Sequence, residues 1–115
     1  MLVAAPAQAQ GLALDGVWGN EAGCELDGDY AADEKRVLTA DAIDSYGMGC
    51  EWLQALAAAD GAQIATGLCG HEGEEYRTVE TFIIERVFSN GGSEAQRLRI
   101  RTNTGEVWGE VSKCP

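Results

Sequence analysis

Polar and apolar residues alternate most cleanly near the end of the chain. In "RLRIRT", residues 97–102, Arg97, Arg99 and Arg101 fall on one face and Leu98, Ile100 and Thr102 on the other. Successive side chains of a strand point to opposite sides, so this period of two marks a strand with one face in water. "EYRTVETFIIERVF", residues 75–88, is rich in the β-branched and aromatic side chains that suit a pleated sheet. "SNGGSE" after it reads as a turn, and "NTG" as a hairpin leading into "EVWGEVSKC". Upstream, "DGVWGNEAGCEL" predicts a first strand around Val17–Asn20. "RVLTADAIDSYG" predicts two short strands, Arg36–Thr39 and Ala42–Tyr46, about a tight turn at Ala40-Asp41. "GCEWLQALAAADG" is ambiguous. Ala and Leu favour a helix, yet Trp52, Gln54 and Leu56 alternate, and Asp60-Gly61 offers a hairpin turn into "AQIATGLCG". The strand is preferred; a helix there would make the fold α+β.

Fifteen glycines cut the chain into short pieces, the rhythm of an antiparallel all-β domain. The expected fold is a small up-and-down meander barrel of about eight strands, since closing the sheet leaves no edge unpaired. At 115 residues the chain allows one domain, here placed at residues 10–115. A domain this small benefits from staples, and Cys24, Cys50, Cys69 and Cys114 supply an even count with no C-x-x-C spacing. Two disulfides, and so an oxidising compartment, are expected. Bridges between distant pieces of the meander favour Cys24–Cys50 with Cys69–Cys114. The rival is Cys50–Cys69 with Cys24–Cys114.

The first residues, "MLVAAPAQAQ", contain the small-x-small patterns Ala5-Pro6-Ala7 and Ala7-Gln8-Ala9. Residues 1–9 read as the remnant of a secretory signal peptide, which places the protein in the periplasm or outside the cell. No run of about 18 apolar residues follows, so no transmembrane helix is expected. Net charge is −11 and uneven: residues 1–76 hold fourteen acids against Lys35 and Arg36. An acidic surface repels phosphate backbones, and suits a basic protein partner, or mere solubility, rather than nucleic acid.

Candidate chemistry is sparse. His71, the only histidine, sits in "LCGHEGEEY", which lacks the second histidine of H-E-x-x-H and reads as a hairpin tip. Asp27, Asp29, Asp33 and Glu34 match only the opening of a calcium loop. Ser45, Ser89, Ser93 and Ser112 have no G-x-S-x-G setting. No catalytic residue, metal or cofactor is therefore assigned, and the protein is read as non-enzymatic. Trp18, Trp52 and Trp108 are candidates to plug a barrel end or to line a ligand site. The arginine row is expected to pair across strands with Glu80, Glu85 or Glu106.

Gly16-Val17-Trp18, a G-x-W, resembles the opening strand of lipocalin-like barrels, where the tryptophan closes one end. With Cys24, Leu26 and a second cysteine at Cys50, residues 16–52 look like the bacterial metalloprotease-inhibitor barrels. That resemblance implies a small periplasmic eight-stranded barrel and an inhibitor, or a relative that kept only the fold. The expectation is thus a secreted, inhibitor-like module acting on another protein, possibly a basic hydrolase. Its alternatives are a lipocalin-like carrier of a small apolar ligand and a structural envelope protein.

Overall fold

Eight antiparallel strands pair only with their neighbours in sequence, and the last returns to the first. The computed structural model describes residues 11–24, 35–45, 47–88 and 95–115. The segment expected to be a signal remnant, the calcium-loop candidates Asp27, Asp29, Asp33 and Glu34, and the "SNGGSE" stretch expected to form a turn, with Ser89 and Ser93, lie outside the described residues. The strands are β1 (Trp18–Gly19), β2 (Arg36–Leu38), β3 (Ala42–Ser45), β4 (Met48–Ala57), β5 (Gln63–His71), β6 (Arg77–Phe88), β7 (Ala95–Thr102) and β8 (Val107–Lys113). A single helical turn, α1 (Glu21–Cys24), follows β1. Among the described residues no helix is long and apolar enough to cross a membrane.

The barrel closes through its shortest strand. Trp18 pairs with Leu38 of β2 on one side and Lys113 of β8 on the other, and Gly19 pairs with Val37 and Ser112. Two residues therefore satisfy the backbone groups of two neighbours, which would otherwise form open edges.

"EWLQALAAAD" is a strand for most of its length, against its local helix preference. Its backbone groups are taken by β3 on one side and β5 on the other, from Met48↔His71 to Ala57↔Gln63. Tertiary pairing outweighs a propensity of a few tenths of a kcal/mol per residue. A bulge between Trp52 and Gln54 absorbs one residue. It leaves Leu53 and Gln54 both exposed and turns Ala55 inward against the core. The β4–β5 turn forms where Asp60-Gly61 placed it: Ala58 N–H donates to Ala62 O at 2.7 Å, and Ala62 N–H to Asp60 Oδ1 at 3.0 Å.

The inner face carries the core. Leu38, Ile43, Cys50, Trp52, Ala65, Cys69, Phe82, Ile84, Leu98, Ile100 and Val111 are buried. Trp52 meets Phe82 edge-on at 5.7 Å between ring centroids, and Phe82 meets Trp108 at 6.3 Å. Gly67 makes room for this column, because a Cβ there would lie 3.0 Å from Cys50 Cβ and 3.2 Å from the Trp52 ring. The segment before β1 seals one end. Leu12 is buried and donates its N–H to Ala40 O, while Ala13 N–H donates to the Gln63 side chain. Trp18 packs there too, its indole N–H on Asp15 O at 2.9 Å.

The disulfides are Cys24–Cys114 and Cys50–Cys69, which corrects the favoured pairing of Cys24 with Cys50 and Cys69 with Cys114. The reason is register. Cys50 and Cys69 are direct partners across β4 and β5, both on the inner face. Closure sets the end of β8 beside β1, where Cys114 N–H donates to Val17 O at 2.8 Å, and so brings Cys114 to Cys24. With sequence separations of 90 and 19, the chain-entropy relation gives upper values of about 4.6 and 3.3 kcal/mol.

Three outcomes follow from this packing. Thiol titration of the denatured, unreduced protein should find no free cysteine, and the double substitution Cys24→Ala/Cys114→Ala should lower the urea unfolding free energy by about 2–5 kcal/mol. Trp52→Ala, which empties the middle of the aromatic column, should cost about 3–5 kcal/mol in the same measurement.

Candidate functional site

Three places carry polar or exposed chemistry: the inner rim at one end of the barrel, a groove beside the closing seam, and the outer face of β4–β6.

His71 is not at a hairpin tip. It is the last residue of β5, in phase with buried Ala65 and Cys69 and so on the inner face. Thr78 and Glu80 on β6 alternate in phase with buried Phe82 and Ile84. The hairpin therefore brings the three together at the rim, with the His71 and Glu80 side chains 34% and 36% exposed. The ring Nε2 lies 2.8 Å from Glu80 Oε2 and 3.2 Å from Thr78 Oγ1, and the Thr78 hydroxyl donates to the same Oε2 at 2.8 Å. A carboxylate oxygen only accepts, and the hydroxyl has committed its proton. Nε2 faces two acceptors, which assigns the hydrogen to that nitrogen.

This arrangement is not that of an activated nucleophile. A base must accept the hydroxyl proton at one ring nitrogen while a carboxylate holds the other. Here hydroxyl and carboxylate share one nitrogen, and the hydroxyl points its proton at the carboxylate. The cluster ties β5 to β6. The acids that adjoin His71 in sequence, Glu72, Glu74 and Glu75, stand exposed on the turn. Among the described residues, no group of three or more His, Cys, Asp and Glu side chains is placed to hold a metal ion.

Also on the inner face, Arg36 lies with its guanidinium 5.1 Å from the centroid of the Trp108 ring. Gly109 leaves the space for it, since a Cβ there would sit 2.7 Å from Arg36 Cδ. The three tryptophans thus take different places: Trp52 in the core, Trp18 at the sealed end, and Trp108 half-buried under Arg36. Near the sealed end the free space beside Trp18, Gln63 and Ile84 is about 20 Å³, room for one water and no ligand.

The larger concavity is outside. A groove of about 530 Å³ runs along the closing seam, walled by Asn20, Cys24, Arg97, Glu110, Ser112 and Lys113. Its charges are largely spoken for. Glu110 receives Arg97 Nη1 and Arg99 Nε, each at 3.0 Å, and Glu85 receives Arg101 Nε at 2.7 Å. Of the three acids expected to serve the arginine row, Glu85 does so and Glu80 goes to His71. Glu110 takes the other two arginines, because Arg99 and Glu110 are register partners on β7 and β8. Sequence reasoning missed Glu110, although alternation in "EVWGEVSKC" already put it on a strand.

The outer face of β4–β6 is of the opposite kind. Its rows read across the strands as Glu51–Leu68–Val79, then Gln54–Thr66–Thr81, then Leu56–Ile64–Ile83. Leu53, Leu56, Ile64 and Val79 are 43%, 58%, 42% and 64% exposed. From Leu53 to Ile83 none of these side chains except Glu51 ionises. Sequence patterning hid this face: Trp52, Gln54 and Leu56 alternate along the chain as if on one side, and the bulge turns Gln54 and Leu56 to the side opposite Trp52.

Compared with family models, with curated proteins and with solved structures, the chain has no match.

If the rim cluster is structural, a double-mutant cycle on His71→Ala and Glu80→Gln should give a coupling of about 0.5–1.5 kcal/mol in unfolding free energy. A coupling near zero in that cycle would mean the contact holds nothing in solution.

Proposed function

We propose that the protein is a secreted, non-enzymatic binding module that works as an inhibitor-like partner of a basic protein, in a periplasm or outside the cell. The observation that carries this reading is the division between inside and outside. The described interior is packed, with Trp52, Phe82 and Trp108 along its middle. Exposed apolar side chains gather on the outer wall. A barrel whose inner face carries the core has its outer surface left for recognition.

Two disulfides accord with an oxidising compartment. The net charge of −11 favours a cationic target, since long-range attraction raises association rates. The rim cluster has the wrong hydrogen-bond order for acyl transfer, which weighs against an enzyme. The carrier alternative needs a pocket of roughly 300 Å³ or more inside the barrel. The space near the sealed end, about 20 Å³, weighs against it.

The test is an activity titration. Basic lysozymes and cationic proteases are assayed with a rising excess of the protein at low and physiological salt. At least one should lose activity, more so at low salt. Full activity throughout the panel defeats the inhibitor reading. Native mass spectrometry showing a retained small molecule would instead favour the carrier.

A further inference from the structure

We infer that the outer face of β4–β6 is the docking surface, and that its occupant is a protein presenting an apolar centre bordered by lysine and arginine side chains. The inference rests on the binding-module reading above and adds where it acts and on what chemistry.

By register the face carries two apolar groups on either side of an uncharged polar row, Gln54, Thr66 and Thr81. Leu56, Ile64 and Ile83 form one row, and Leu68 and Val79 adjoin across the strands nearer the other end. Leu53, pushed out by the bulge, stands beside them. Three strands about 4.8 Å apart and some 20 Å long give a largely uncharged footprint of roughly 300 Å², of which the two apolar groups form a part. The neighbouring wall shows that this is not the chain's general habit. On β6–β8 the outward positions are filled by Glu85, Arg97, Arg99, Arg101 and Glu110, joined in ion pairs.

The border decides the partner. A stable interface covers about 800 Å² on each side, so this footprint supplies less than half, and the rest must come from what surrounds it. Both ends of the strip run into acidic turns: Asp60 between β4 and β5, and Glu72, Glu74 and Glu75 between β5 and β6, all exposed. Glu51 stands at a corner, with Arg77 4.0 Å away, and Arg101 at the opposite edge is held by Glu85. Tyr76, 63% exposed, adds an aromatic contact beside the acids. A second copy of this chain fits poorly. A two-fold contact sets the same rim against itself, here acid against acid on a chain of charge −11. A basic rim on another protein gains from the same charges.

The test uses the whole protein, with immobilised basic lysozymes and cationic proteases as probes and a folding check by urea midpoint for every variant. Ile64→Thr and Val79→Thr keep β-branching and should each weaken retention about tenfold. Val79→Glu separates contact from bulk charge: it adds an attractive charge, yet should also weaken retention by tenfold or more. Glu74→Gln/Glu75→Gln should slow association several-fold and flatten its salt dependence. Arg97→Gln, on the ion-paired β6–β8 wall, should change nothing. Retention that survives the Ile64 and Val79 substitutions but falls with Arg97→Gln overturns this surface and leaves the binding module standing. No retention of any basic probe by the unaltered protein overturns both. A dimer in sedimentation that Val79→Glu dissociates overturns the occupant in favour of a second copy.

Discussion

Everything in this molecule depends on closing the sheet through two residues. Trp18 and Gly19 alone pair with both β2 and β8, and a ladder that short contributes few hydrogen bonds. Cys24–Cys114 fastens the same seam covalently, one residue beyond β8 and at the end of the turn that follows β1. Without closure, β2 and β8 would each present an unpaired edge, and the packed interior would open along that line. The bridge with the longest loop is placed where the hydrogen-bonded closure is thinnest.

Closure also decides where chemistry can go. Eight strands enclose little more than their own side chains, and here three aromatic rings, a guanidinium and the sealing Leu12 take the space. Most of the polar and exposed apolar groups described above accordingly lie at the rims and on the outer walls. Those walls are sorted. The β6–β8 side carries arginines and glutamates that satisfy one another, whereas the β4–β6 side carries exposed aliphatic side chains about an uncharged Gln54–Thr66–Thr81 row, with acids at its ends. A charged wall that is internally paired has little attraction left to offer. Exposed aliphatic side chains in an acidic border have both a desolvation gain and a field to offer a cationic partner.

Legibility followed the range of the interaction. "RLRIRT" could be read as a half-exposed strand because alternation is a property of neighbours in sequence. "EWLQALAAAD" sat between two local preferences, and pairing with β3 and β5 settled it. The cysteines show the limit most clearly. Their number and spacing imply bridges, but the choice of partner needs register, and Cys50 facing Cys69 is a fact about two strands lying side by side. His71 looked like a member of "HEGEE". Its partners are Thr78 and Glu80, seven and nine residues on, because the chain turns between them and only every second side chain faces inward.

The amino-acid order by itself determined the strand class, the approximate strand number, the acidic surface and the need for two bridges. Each of these is a sum over local steric preference, periodicity or composition. Only the tertiary structure decided which cysteines join, which carboxylate serves which arginine, and that Leu56, Ile64 and Val79 look outward. Those outcomes turn on the register of one strand against the next, where a single bulged residue moves a side chain from core to solvent. No pattern along the chain measures that offset, because it is set jointly by strands that meet only when the barrel shuts.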